Sequence, residues 1–293
     1  MDIFDSVDFP QIIRCSHWNI CKVHKSMRYK IYNNECKMNI LSETPKRNKT
    51  GALNSFFRED SKWEIGVDEA GRGPLFGRLY VAATILPKTT EFKPYISNDL
   101  SILVLNSNKF KHEWMKDSKR FSSQKKIREV AEYIKSNAVA WTVRYAEAEL
   151  IDEINIRQAV LRTMRECCRD LIEKTGSGKD VCLLVDGNDF PPFTVFNPES
   201  ETLEEVESHT VEGGDNLYTC IAAASILAKV ARDDYIAELC KENPFLSTNY
   251  GIDRNKGYGT ADHMRGIKEH GITQWHRRSY GPCKVTGKIV ATA

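Results

Sequence analysis

Four acidic side chains stand in segments better suited to chemistry than to solvation. Asp68 and Glu69 close an apolar run, in Gly66-Val67-Asp68-Glu69-Ala70-Gly71-Arg72-Gly73-Pro74. Side chains alternate between faces along a strand, so neighbours point apart. The two acids serve one site only if the strand breaks there, and the Gly-rich turn supplies the break. Gly71 and Gly73 also let backbone amides approach a ligand. Taken alone, the segment also reads as an acid capping a turn. Asp186 follows Val181-Cys182-Leu183-Leu184-Val185, the continuous apolar run of a strand buried on both faces. Carboxyl ends of such strands are where α/β proteins gather functional groups, although an Asp-Gly turn explains the same dipeptide. Asp233 lies on an alanine-rich helical stretch, four residues after Lys229, the spacing of a simple ion pair. Small residues upstream imply close packing on the sheet, which places Asp233 near the chemistry.

Gathering four carboxylates is unfavourable without cations, because like charges raise one another's pKa. Oxygen-only donors without histidine or cysteine select hard ions, magnesium or manganese. Two such ions about 3.5–4 Å apart are the standard arrangement for phosphodiester cleavage. Asn255-Lys256-Gly257-Tyr258-Gly259-Thr260 adds an aromatic between glycines. Tyr258 can stack on a sugar or base, or it is an exposed turn aromatic. Lys119, Lys229, Lys256, Arg277 and Arg278 are candidate phosphate contacts, against the plainer reading of solvated surface charge.

Two patterns are set aside. Thr175-Gly176-Ser177-Gly178-Lys179-Asp180 has the wrong glycine spacing and stands between a helix and a strand, the reverse of a phosphate-binding loop. Cys15, Cys21, His24 and Cys36 lack the paired spacing of a structural zinc site.

The elements that must position the acids are legible in part. The 63–67 and 78–86 stretches read as strands of an antiparallel hairpin. A polar stretch at 88–116 reads as a loop insertion, 123–137 as a helix and 138–145 as a third strand. Apolar residues from Leu150 to Leu171 recur at helical spacing, giving a long helix over 146–174. The 181–185 strand follows, then an alanine-rich helix over 217–238 and a shorter helix after Thr260. Strands interleaved with helices make the chain α/β. Residues 1–61 read as an N-terminal extension, 62–285 as the catalytic domain and 286–293 as a tail. In the extension, Arg14, Lys22, Lys25, Arg28 and Lys30 with Trp18, Tyr29 and Tyr32 form either a nucleic-acid-binding appendage or a poorly ordered extension, and 42–51 resembles a linker.

Composition bounds the reading. The chain has 293 residues, 41% hydrophobic and 28% charged, with net charge +2. A nucleic-acid partner therefore needs a local basic surface. Nine scattered cysteines, an acidic start without a signal-peptide pattern, and no apolar run of membrane-spanning length point to an intracellular protein with reduced thiols.

Taken together, the ordered segments resemble ribonuclease HII. The 66–74 segment is similar to its opening signature, and Lys116-Asp117-Ser118-Lys119 to its Asp-Ser-Lys segment. Ile151-Asp152-Glu153-Ile154-Asn155-Ile156, Asp186-Gly187-Asn188, Gly214-Asp215, the run from Ile221 to Asp233, the Lys256–Thr260 turn and His276-Arg277-Arg278-Ser279-Tyr280 continue the order over about residues 63–284. The resemblance implies an RNase H-like fold with a mixed central sheet flanked by helices. It implies Asp68, Glu69, Asp186 and Asp233 as catalytic, metal-binding acids with two magnesium or manganese ions. It implies that Gly71, Arg72 and Gly73 read the ribose 2′-hydroxyl and its phosphate, that Lys119 contacts substrate, and that Tyr258 stacks on the neighbouring deoxyribose. The implied activity is endonucleolytic cleavage of RNA/DNA hybrids and of DNA duplexes containing ribonucleotides, on the 5′ side of the ribonucleotide, leaving 3′-hydroxyl and 5′-phosphate ends. A monomer is expected. The long N-terminal extension, the 88–116 insertion, the long acidic stretch from Asn188 to Ser208, and Gly213 in place of a common lysine depart from the family pattern. A silent nucleic-acid binder would gain nothing from clustered negative charge. A glycosidase would need only two acids and no metal.

Overall fold

The computed structural model describes residues 51–58, 60–88, 110–176, 178–198 and 200–284, and the backbone of 30–32 and 35–37. The side chains of Arg14, Trp18, Lys22, Lys25, Arg28, Tyr29, Lys30 and Tyr32, the cysteines of the extension, residues 42–50, most of the 88–116 stretch and the tail lie outside the described residues. The chain divides into two units, Met1–Lys46 and Arg47–Ala293. In the first, β1 (Lys30–Tyr32) pairs antiparallel with β2 (Glu35–Lys37).

The second unit is built on β3 (Trp63–Ala70), β4 (Leu79–Ile85), α1 (Gln124–Asn137), β5 (Ala140–Ala146), α2 (Ala148–Thr175), β6 (Val181–Asp186), β7 (Phe193–Asn197), β8 (Thr202–Val211), α3 (Thr219–Glu242), α4 (Phe245–Tyr250), α5 (Ile252–Asn255), α6 (Ala261–His270) and α7 (Gly281–Lys284). Six strands form one mixed sheet in the order β5-β4-β3-β6-β8-β7. The β3/β4 hairpin is antiparallel, as its turn residues require, whereas β6 lies parallel to both β3 and β8. The α/β expectation with a mixed central sheet is met.

The core sits on both faces of the sheet. On one, Ile65, Val67, Val81, Leu183 and Val185 pack on Ile151, Val160, Met164 and Leu171 of α2. On the other, Ala82, Cys182 and Leu184 pack on α3 and α1. Burial from both sides is why β6 is uniformly apolar. The small side chains of α3 let its backbone come close: a Cβ on Gly66 would lie 2.3 Å from the carbonyl carbon of Cys220. Inside α2, Asn155 adopts φ 65° and breaks the helix, and its side chain accepts the Gln158 N–H at 3.1 Å. That bond restarts the helix as an N-cap does.

Besides β1 and β2, two strands of the main sheet depart from the sequence expectation. β7 and β8 form a hairpin at one sheet edge, and all but the last three residues of it fall in the acidic 188–208 stretch. β8 reads Thr-Leu-Glu-Glu-Val-Glu-Ser-His-Thr-Val, and its inward Glu204 interrupts the apolar alternation. Glu204 is held by Lys179 at 3.1 Å and by Asn197 at 2.8 Å. Before β3, Asn54 forms a parallel bridge with Tyr218. The buried Glu64 carboxylate accepts the N–H groups of Phe57 and Arg58, each at 2.8 Å, and pairs with Lys88 at 2.9 Å.

Candidate active site

β3 and β6 run in parallel with Val67 opposite Val185. One residue on, Asp68 and Asp186 end side by side on the same face. The expected break in β3 does not occur: the strand continues through Ala70, with Asp68 opposite Ala82 and Glu69 opposite Val81. Alternation therefore holds. Asp68 faces α3, and the half-buried Glu69 starts from the opposite face and reaches toward Arg72, at 3.6 Å. Asp68 is only 5% exposed and accepts the Glu69 N–H at 2.7 Å, and the nearby Ser225 hydroxyl of α3 favours its charged form.

These acids hold protons unusually tightly. Burial pushes Asp68 well above the ordinary carboxylate range, and the charges of Asp186 and Glu69 push it further. Burial also raises Glu69, against the pull of Arg72 and with the push of Asp186. Asp186 is raised by burial despite backbone N–H groups from Gly214, Asp215 and Gly187. Arg72 and Lys119 only partly offset the negative charge of acids so placed. An oxygen-only donor set with this deficit fits hard divalent cations.

The fourth acid in this group is Asp215, not Asp233. The Gly214 N–H donates to Asp186 at 2.7 Å, and the buried Asp215 is raised by burial, by Asp117 and by Asp186. Asp233 is 3% exposed, and Lys229 donates to it at 2.5 Å. It lies eight residues past Ser225 on α3, about 12 Å along the helix axis. It is not among the strongest influences on Asp68, Glu69, Asp186 or Asp215. The ion pair named as the plain reading of Asp233 is what the structure contains. Asp215 entered the sequence reading only within a Gly-Asp match, because β8 was unseen and its outlet could not be recognised as a strand end.

The Asp117-Ser118-Lys119 segment docks on the same region. Asp117 accepts the Lys119 N–H at 2.9 Å, and Ser118 meets Ser225 at 3.1 Å. The exposed Lys119 is near enough to draw both Asp186 and Asp215 down. The Gly71-Arg72-Gly73 turn follows β3 directly. Gly71 has φ 94°, and a Cβ there would lie 2.2 Å from Arg232 Nε, so only glycine fits. Tyr258 is 52% exposed, and its ring edge lies 3.5 Å from where a Gly73 Cβ would be. Turn and tyrosine thus form one surface.

Arg277 is not a phosphate contact. It is fully buried, and its guanidinium donates to the carbonyls of Gly71, Arg72, Pro74 and Gly77 at 2.7–3.1 Å. Lys229 is engaged by Asp233. Among the described residues, the set of three donor side chains whose ligand atoms all lie within 4.8 Å of one another is elsewhere, at Cys182, Glu207 and His209. There Glu207 is already bound bidentately by Arg58, at 2.9 and 2.7 Å.

The sequence profile of ribonuclease HII matches residues 65–283. A ribonuclease HII of Nitrosomonas europaea is 37% identical over 227 residues, covering 78% of this chain and 86% of that protein. One from Bacteroides thetaiotaomicron is 38% identical over 217 residues, 74% of this chain and 88% of that protein. Among solved structures, Bst-RNase HIII in complex with Mn2+ has a TM-score of 0.53 at 16% identity, covering 76% of this chain and 68% of that chain, a likeness of fold. The match spans both strands that carry the acids and the helix behind them, and the chain belongs to the ribonuclease HII family.

Proposed function

We propose that this member of an endoribonuclease family is a divalent-metal-dependent enzyme that cuts the RNA strand of RNA/DNA hybrids and incises DNA duplexes 5′ to embedded ribonucleotides. Products carry 3′-hydroxyl and 5′-phosphate ends. The observation that supports it most is the placing of Asp68 and Asp186 on the neighbouring strands β3 and β6, with Glu69 next to Asp68 and Asp215 tied in by the Gly214 N–H on Asp186; all four have raised proton affinity.

Those four acids would hold two magnesium or manganese ions. When bound, such ions supply an activated water and charge stabilisation at the leaving oxygen. The chain's own groups do the rest. Gly71 and Gly73 leave room for the backbone to meet a 2′-hydroxyl, the group that separates RNA from DNA. Arg72 and Lys119 face phosphate, and Tyr258 stacks on the adjoining deoxyribose. Asp233 has a structural task, neutralising Lys229 on α3.

The working unit is a single chain with a nucleic-acid duplex as its partner. Among the described residues no helix is long and apolar enough to cross a membrane. The described free cysteines are buried, which supports a reducing, intracellular setting.

The test is incubation with a labelled duplex carrying one ribonucleotide, with and without magnesium, and mapping of the cut. A magnesium-dependent cut immediately 5′ to the ribonucleotide is expected. Failure to cut, or cutting elsewhere, rejects the assignment.

A further inference from the structure

Behind the exposed Tyr258 runs a chain of buried polar groups that cleavage itself does not use. The Thr273 N–H donates to His276 Nδ1 at 2.9 Å. An amide only donates, so Nδ1 is bare and His276 carries its proton on Nε2. That atom lies 3.0 Å from His263 Nε2, which must accept. His263 then carries its proton on Nδ1, 2.9 Å from the Tyr258 carbonyl oxygen. Every link has one direction: Thr273 to His276 to His263 to Tyr258. Both rings are buried. Burial pushes His276 down to about 3 and lowers His263 as well, so both stay neutral. The Tyr258 carbonyl also accepts the Thr260 N–H at 2.8 Å, which fills both its lone pairs.

The same short segment fixes the opposing wall. His276 bridges to Phe76, and the Arg277 N–H donates to the Leu75 carbonyl at 2.8 Å. The Arg277 side chain gathers the carbonyls of the 71–77 turn. Adjacent residues therefore set Tyr258 on one side and the glycine turn on the other.

We propose that His263 and His276 are positioning residues for Tyr258. They hold its ring at the spacing from the Gly71-Arg72-Gly73 turn that admits a ribonucleotide and the deoxyribose beside it. This rests on the reading of Tyr258 as the sugar-stacking residue.

The test is a double-mutant cycle on kcat/KM with a duplex containing one ribonucleotide. His276→Asn keeps an acceptor for Thr273 but cannot reach His263. His276→Gln keeps an N–H at the outer position. His276→Asn is expected to lower kcat/KM about ten- to a hundredfold, and His276→Gln to recover most of that loss. In a Tyr258→Ala background, His276→Asn should cost less than about twofold, because coupled residues are non-additive. Full additivity, or a loss that follows melting temperature and is not recovered by glutamine, overturns the proposal. Should His276→Asn fail to fold, His263→Gln and His263→Asn repeat the comparison, since only asparagine keeps a donor toward Tyr258. A Tyr258→Ala protein that cuts at the wild-type rate instead sinks the reading of Tyr258, and the proposal with it.

Discussion

The backbone N–H of Gly214 donates to the Asp186 carboxylate at 2.7 Å, and that bond carries Asp215 to the acids at the ends of β3 and β6. Asp233 has no such link and answers Lys229 instead. Asp215→Asn is therefore expected to lower cleavage about a hundredfold or more. Asp233→Asn should cost less than about tenfold, because the pair it breaks is partly solvated at the lysine. Single-turnover rates of both variants decide the assignment, and the reverse order would restore Asp233 to the site.

Asp68→Asn is expected to reduce cleavage by about a thousandfold while the protein folds and binds duplex. The folded-state proton affinity of Asp68 is raised. The metal-free folded chain thus keeps a proton that the unfolded chain releases, and stability falls as pH rises through that range. Asp68→Asn should accordingly raise the melting temperature of the metal-free protein at neutral pH. A lowered melting temperature would contradict the account of its electrostatics.

Magnesium or manganese should raise the melting temperature of the wild-type protein, because ions that bind only the folded chain stabilise it. In Asp186→Asn the shift should shrink. Excess chelator should stop cleavage, and added magnesium or manganese should restore it. Cleavage that persists in chelator rejects metal dependence.

Gly66→Ala tests the contact between β3 and α3. The added methyl would meet the Cys220 backbone at 2.3 Å. A backbone cannot swing aside as a side-chain tip can, so a loss of about 1–3 kcal/mol or more is expected. Denaturant unfolding measures it.

Acid should weaken the fold through the buried histidines. An imidazole in the unfolded chain titrates near 6.5, whereas folded His276 titrates at about 3. Between those values the unfolded chain binds the extra proton, so stability is lost as pH falls from 6.5. The slope approaches about 1.4 kcal/mol per pH unit for each such group. Unfolding curves between pH 6.5 and 5 should be shallower in pH for His276→Gln than for wild type. Equal slopes would show that His276 does not contribute.

Much of the fold could be read from residue types because both sheet faces are buried. The apolar run before Asp186, the α2 periodicity and the Asp68-Glu69 pair each carry a local signal. What escaped was set by tertiary context. Glu204 faces inward in β8 because Lys179 and Asn197 receive it, which hides the alternation. Without β8, the position of Asp215 at a strand outlet could not be seen. Arg277 read as surface charge because nothing local shows that four carbonyls of a distant turn await it.

The clasp formed by Glu64 decides where this protein can be shortened. Its carboxylate closes on amides of Phe57 and Arg58, residues that precede the first strand of the sheet. A chain trimmed to begin at Lys62 would leave a buried acid without those donors and remove Phe57 from the core it packs against. Trimming at Arg47 would keep the clasp, so cutting back to the residues of the family match alone would yield a weaker protein than leaving the short lead-in attached.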